Sequence, residues 1–312
     1  MSAPILVGYT ATKEGADAVA VGVRLAAATG APLALAIVLP ADDRSVITPP
    51  NDGYERYLQG TATQWLAEAS AMVPDAVVHS TLVRSGESFA EGLLDTAREI
   101  GASHIVVGAA NGGLRGRHRL GSTATELVHY ADVPVVLVPR GARKTPADTG
   151  IPRLTVAIGT RPGREALMDE AVALATAADV PVRLLSLVTV DLPASVDTGV
   201  IRIAGAAHAD DVLKRAKTAL PAGLASEVIV GRGDSIEDAV EHLTWEPGEF
   251  VLVGSSRLAQ RGRLFLGATA AKMLHALTVP VIVVPRTRAP KPETPKPETQ
   301  QPDTQAENGA SA

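Results

Sequence analysis

The 312-residue chain has no cysteine. Disulfides and thiolate-ligated metal sites are therefore excluded, and the absence fits a reducing compartment. Aromatic residues make up only 3% of the chain. A core must then be assembled from many small aliphatic contacts, which suits parallel sheets covered by helices. The net charge of −5 is mild, and no basic stripe with interleaved aromatics occurs, so nucleic acid is not an expected partner. A long uninterrupted apolar run is also missing. The most apolar window, Ala16 to Pro40, is broken by Arg24, Gly30 and Pro32 and changes from helical to strand periodicity midway. The opening MSAPILVGYT has neither the basic n-region nor the cleavage-like site of a secretory leader. These absences together lead to an expectation of a cytoplasmic protein with no membrane role.

Several chemical motifs are missing as well. Gly116 to Thr123 has the glycine spacing of a Walker A loop, but the lysine that reaches the outer phosphates is absent. No G-x-G-x-x-G follows the first apolar run, and no G-x-S-x-G occurs anywhere. The seven histidines form no H-x-x-x-H pair, so no metal is expected. Asp210 and Asp211 are adjacent on an expected helix and point in different directions, which makes a poor acid–base pair. No catalytic constellation emerges, and the expectation is a protein that is not an enzyme.

What the chain does contain is a duplication. Ile105 to Arg140 and Val251 to Arg286 align without a gap, and sixteen of thirty-six positions are identical. The copies lie 146 residues apart, a period far beyond the roughly 20–50 residues of solenoid repeats, so the repeating units are duplicated domains. The chain divides into a first unit over residues 1–141, a polar linker over 142–153, a second unit over 154–287 and a tail over 288–312. The tail carries PKPET twice and lacks the apolar groups to offset ordering entropy, so it is expected to be disordered.

Within the first unit, apolar runs alternate with helical patterns. Strands are expected at Pro4–Tyr9, Leu33–Leu39, Ala76–Arg84, His104–Gly108 and Val135–Val138. Helices are expected at Lys13–Thr29 with Thr12 as N-cap, Tyr54–Met72, Phe89–Ile100 with Ser88 as cap, and from Ser122 onward. The second unit repeats the order, with strands at Leu154–Ile158, Val182–Val188, Ala225–Val230 and Phe250–Gly254 and helices at Arg164–Ala178, Val200–Leu220 and Ile236–Leu243. Connections of this length suit right-handed parallel crossovers. The fold class is α/β, with two tandem five-stranded parallel sheets of Rossmann-like architecture. The last strands, VPVVLVP and VPVIVVP, are short and β-branched. As sheet edges they would expose unpaired backbone groups, or they stand as ordinary fifth strands protected by flanking prolines.

The loop after the fourth strand carries the chemistry. Gly108 ends that strand at the carboxyl edge, where open α/β sheets bind ligands. Gly121, Ser122 and Thr123 open the next helix, whose first N–H groups lack intrahelical partners and whose dipole is positive there. With Arg115 and Arg117 this makes a phosphate cradle. The same residues also suit a tight turn, a helix cap and solvated arginines.

At these residues the chain resembles the universal stress protein family, twice over, from Pro4 to Arg286. The resemblance implies an α/β nucleotide-binding fold, a regulatory or stress-linked role and ATP as cofactor, bound through G-x-x-G-x9-G-[ST]. In the first unit Gly108, Gly121 and Ser122 match that pattern and Asn111 stands in the middle glycine's place. In the second, Gly254 and Gly267 match, Arg257 replaces the middle glycine, Ala268 replaces the Ser/Thr, and Thr269 follows one residue later. An Asp that the family places after its first strand is Thr10 here and Gly159 in the second unit. The valine flanking adenine corresponds to Val38 and Val188, both also ordinary strand residues. The resemblance further implies that the two units pair through Val135–Val138 and Val281–Val284. It leaves helical faces for a homodimer, and leaves open a nucleotide-independent scaffold that acts through protein partners.

Overall fold

The computed structural model describes residues 2–41, 52–110, 118, 120–159, 164–189, 209–255 and 266–285. The sequence periodicities become strands β1 (Ile5–Gly8), β2 (Leu33–Pro40), β3 (His79–Gly86), β4 (His104–Gly108) and β5 (Val135–Val138) in the first unit. The second unit supplies β6 (Leu154–Ala157), β7 (Val182–Thr189), β8 (Ser226–Gly233), β9 (Phe250–Gly254) and β10 (Val281–Val284). Helices are α1 (Lys13–Thr29), α2 (Asp52–Ser70), α3 (Phe89–Ile100), α4 (Ser122–Tyr130), α5 (Arg164–Ala178), α6 (209–218), α7 (Ile236–Glu241) and α8 (Ala268–Ala276). The N-terminal half of the expected 200–220 helix, the tail and most of the 40–53 loop lie outside the described residues.

Local chemistry sets these boundaries. The Thr12 hydroxyl accepts the Gly15 N–H at 3.1 Å and caps α1, and Ser88 caps α3 by accepting from Glu91 at 3.0 Å. Gly30 ends α1 at φ 64, where glycine pays no Cβ penalty. The equivalent residue of the second unit is Asp179, which adopts φ 53. The third strand begins later than its composition indicates, at His79 rather than Ala76. The Val77 N–H is used in a turn to the Pro74 carbonyl at 2.9 Å, so β3 joins β2 only from His79↔Leu33 onward.

Among the described residues the strands form one ten-stranded sheet in the order β3-β2-β1-β4-β5-β10-β9-β6-β7-β8. All neighbours are parallel except β5 and β10, which pair antiparallel with Val281↔Leu137, Ile282↔Val136 and Val283↔Val135. Val136 and Ile282 hold equivalent positions in their units and face each other, so a pseudo-two-fold axis passes between them. The fifth strands are therefore not edges, and the prolines that flank them leave their backbone groups free to pair. The four central strands β4, β5, β9 and β10 are buried along almost their whole length, as continuous β-branched runs require.

The sheet has two apolar layers, and each continues across the seam. One face packs Ile5, Val7, Leu33, Leu35, Val106 and Val136 together with Leu154, Val156, Phe250, Leu252 and Ile282 under α1, α2, α5 and α6. The opposite face packs Leu6, Ile105, Val107 and Leu137 with Val251, Val253, Val281 and Val283 under α3, α4, α7 and α8. The duplicated units thus share their cores.

The linker is docked as well as polar. It forms two short 3-10 turns, Ala142–Lys144 and Ala147–Thr149, and Ile151 enters the core. The fully buried Asp17 carboxylate of α1 accepts from the Gly141 N–H at 2.7 Å, the Arg143 N–H at 3.0 Å and the Arg143 guanidinium at 2.9 Å. Arg24 of α1 donates to the Thr145 carbonyl at 3.0 Å.

Candidate functional site

Strand order reverses between β1 and β4, because β1 connects toward β2 on one side and β4 toward β5 on the other. The carboxyl ends of these two strands flank the crevice where open α/β sheets take ligands. Thr10 follows β1 there and Gly108 ends β4, so the topology brings these two sequence-predicted residues to one edge. Gly121, Ser122 and Thr123 arrive at the start of α4, and Gly121 packs against Ala110, where a Cβ would sit 3.1 Å from that methyl. Both ends of the signature loop are thereby held close together. Asn111, Arg115 and Arg117 lie outside the described residues, as does Arg257 of the second unit.

Ser122 is the first residue of α4 and is exposed, and the N-cap position belongs to Gly121. Neither Gly121 nor Gly267, the N-cap of α8, has a side chain with which to cap its helix. By contrast α1, α3 and α7 are each capped by a hydroxyl from Thr12, Ser88 and Ser235. Among the described residues no N-cap side chain takes up the first N–H groups of the two signature helices, which suits an anion there.

Three site residues have roles that the sequence does not disclose. Gly108 lacks a side chain because α1 needs the room. A Cβ there would lie 2.8 Å from the carbonyl carbon of Glu14 and nearer still to its oxygen. At Gly254 the nearest described neighbour of such a Cβ would be Leu167 at 3.7 Å, and Gly163, which stands at the place of Glu14, lies outside the described residues. Val38 is buried against Gly92 of α3, so it packs between β2 and α3 in the core. The Thr10 hydroxyl lies 3.0 Å from that of Thr12, its partner in the turn leading into α1. In the second unit Gly159 and Thr269 are exposed and Val188 is half-buried.

Glu14 and Arg140 were missed by residue-type reasoning. Glu14 is buried beside Gly108, and its carboxylate meets the Arg140 guanidinium at 3.4 Å. Arg140 drew notice only as the end of the repeat. A charged residue in the first turn of the helix that packs on the glycine end of β4 was the available signal. His118 was also unassigned. It is buried, and its Nε2–H donates to the Val279 carbonyl in the other unit at 2.7 Å. Burial pushes its pKa down to about 4, partly opposed by that hydrogen bond.

Opposite this edge, at the amino ends of β6, β7 and β9, lies a buried charge network. Glu249 accepts from Arg183 at 2.7 Å and Arg153 at 3.0 Å, and also from the Thr155 hydroxyl. Arg183 stacks on Trp245 at 4.8 Å, donates to the Thr244 carbonyl at 3.0 Å and reaches Thr155 at 2.8 Å. The first unit has Leu6, Ala34 and Ser103 at the places of Thr155, Arg183 and Glu249. The network lies on the edge away from the switch point, and it holds strand ends together. Among the described residues no group of three or more His, Asp or Glu converges to hold a metal ion, and no helix is long and apolar enough to cross a membrane.

The family model described as "Universal stress protein family" matches residues 1–139 and again 150–285. The chain belongs to the universal stress protein family. Two family domains therefore lie in tandem, as the mirrored strand order requires. A universal stress protein of Mycobacterium tuberculosis is 26% identical over 294 residues, covering 90% of this chain and 99% of the relative. Another, from Mycolicibacterium smegmatis, is 32% identical over 160 residues, covering 48% of this chain and 52% of the relative. Among solved structures, a universal stress protein from Archaeoglobus fulgidus superposes with a TM-score of 0.66 at 14% identity, over 92% of this chain and 99% of its own. That likeness concerns the fold.

Proposed function

We propose that this universal stress protein is a cytoplasmic stress-response regulator without catalytic turnover. Its first unit receives the phosphates of an adenine nucleotide, ATP foremost, at the start of α4. The observation that supports this reading is the glycine N-cap of α4, Gly121, followed by Ser122, in the connection after β4 at the β1/β4 switch point. The second unit is the weaker binder, because Ala268 stands where Ser122 stands and contributes no hydroxyl.

Two observations favour a second reading, a scaffold of the same fold that works through protein partners. Glu14 places a carboxylate beside Gly108 and engages Arg140, and Thr10 turns toward Thr12. Titrating Mg-ATP into the full chain by calorimetry separates the two. The nucleotide reading expects heat that disappears in Ser122→Asp, where a carboxylate occupies the helix start, and persists in Thr269→Asp. Absence of heat at millimolar ATP removes the nucleotide reading and leaves the scaffold.

A further inference from the structure

The pseudo-two-fold at Val136 and Ile282 requires each contact across the seam to occur twice, once from each side. One deeply buried contact breaks that rule. His104, the first residue of β4, places Nε2 3.0 Å from the Oε1 of Glu170 on α5, and the two residues are 4% and 6% exposed. The approach has ion-pair distance without hydrogen-bond alignment, and His104 Nε2 has no other hydrogen-bond partner, so Glu170 is what compensates its burial. The Nδ1 of the same ring meets Ser103 Oγ at 3.0 Å.

The symmetry-related pair is apolar. β4 and β9 start at His104 and Phe250, each opposite the first residue of its β1-type strand, Ile5 or Leu154. The α1 and α5 helices end at Thr29 and Ala178, before Leu33 and Val182 start the equivalent strands β2 and β7. Counting back, Glu170 corresponds to Val21. Val21 and Phe250 are both 0% exposed and belong to the same apolar layer. The seam therefore contains imidazole with carboxylate on one side and a phenyl ring with an isopropyl group on the other.

We propose that this asymmetry is a pairing code, by which the seam face of each unit fits the other unit and rejects a copy of itself. If a first unit met a first unit through the same seam, His104 would face Val21 twice, and the imidazole would lose its carboxylate. If a second unit met a second unit, Glu170 would face Phe250 twice, burying a carboxylate against an aromatic ring. Burying a polar or charged group away from its partner is costly, and specificity is built from such mismatches. The partner that this face fits is thus the complementary unit, from the same chain or by exchange from a second copy.

The absence of cysteine makes the code readable in the full-length protein. In a cognate seam Val136 faces Ile282, whereas in a seam between two first units it faces its own counterpart. Facing residues of antiparallel strands lie within disulfide reach, with Cα atoms about 4.5–5.5 Å apart. Val136→Cys is refolded under oxidising conditions at high protein concentration and run on non-reducing gels, with Val136→Cys/Ile282→Cys as the intrachain control. Val136→Cys alone is expected to stay monomeric. Adding His104→Phe makes first-unit self-pairing wholly apolar and is expected to raise the disulfide dimer fraction at least tenfold. Ile282→Cys with Glu170→Val is the independent arm for second-unit self-pairing, with the same expectation if either variant folds poorly. Equal dimer fractions with and without these switches overturn the proposal. So does a failure of both switched variants to dimerise while their intrachain controls cross-link.

Discussion

The Nε2 of His118, in the signature loop of the first unit, donates to the carbonyl oxygen of Val279 in the second unit at 2.7 Å. This contact crosses the seam at a point where the two units share no strand pairing. It also carries a pH dependence. Its folded pKa is held at about 4, below the ordinary histidine value of 6.5, by burial. Between those values the unfolded chain binds a proton that the folded chain does not, so acidification favours unfolding. The contribution is fully present above about pH 6.5 and is lost progressively toward pH 4, up to roughly 3 kcal/mol. His118→Leu, which installs the residue of the equivalent position in the second unit, is expected to flatten the fall in melting temperature between pH 7 and 4.5. Parallel pH profiles for wild type and variant would refute this assignment.

Among the described residues the two equivalent glycines at the ends of β4 and β9 have unequal steric surroundings. Gly108→Ala drives a methyl into the backbone of Glu14 and is expected to cost about 3 kcal/mol, since α1 must move. Among the described residues Gly254→Ala meets only ordinary van der Waals contact, with Leu167 at 3.7 Å, and is expected to cost less than about 1 kcal/mol. Chemical denaturation of both variants measures the difference, and equal losses would contradict the packing argument.

Glu249 compensates two arginines inside the second unit. Glu249→Ala leaves Arg183 and Arg153 without their shared carboxylate and is expected to lose about 3–5 kcal/mol. Thr155→Leu/Arg183→Ala/Glu249→Ser transplants the residues of the first unit. It is expected to lose less than the single change, because Arg183 leaves together with its carboxylate and Arg153 keeps Glu246 at 2.8 Å. A triple variant less stable than Glu249→Ala would show that the network is needed for more than charge compensation.

Asp17 fastens the linker to α1 through the Gly141 and Arg143 N–H groups. Asp17→Ala leaves these donors unsatisfied and is expected to cost about 2–3 kcal/mol. It should also speed proteolytic cleavage between Gly141 and Gly150 in the native protein. Unchanged cleavage in that segment would mean that the docked linker does not depend on Asp17.

The elements and their duplication were legible in the order of residues. Helix ends at Thr12, Gly30 and Ser88 follow from local capping chemistry, and β-branched runs between prolines mark the buried strands, so periodicity alone locates them. It also indicated the β4 edge and the start of α4 as the places where a phosphate would approach. The remaining features depend on groups far apart in the chain. Gly108 serves the close approach of α1, Val38 packs against α3, and Glu14 finds Arg140 at the far end of the unit. The Glu249 network gathers residues from three strand ends, and His104 meets Glu170 across a seam that belongs to neither unit alone. Spacing along a chain records which face a side chain takes. It does not record what the opposing element presents there, and at the seam that difference turns a duplicated sequence into an asymmetric pair.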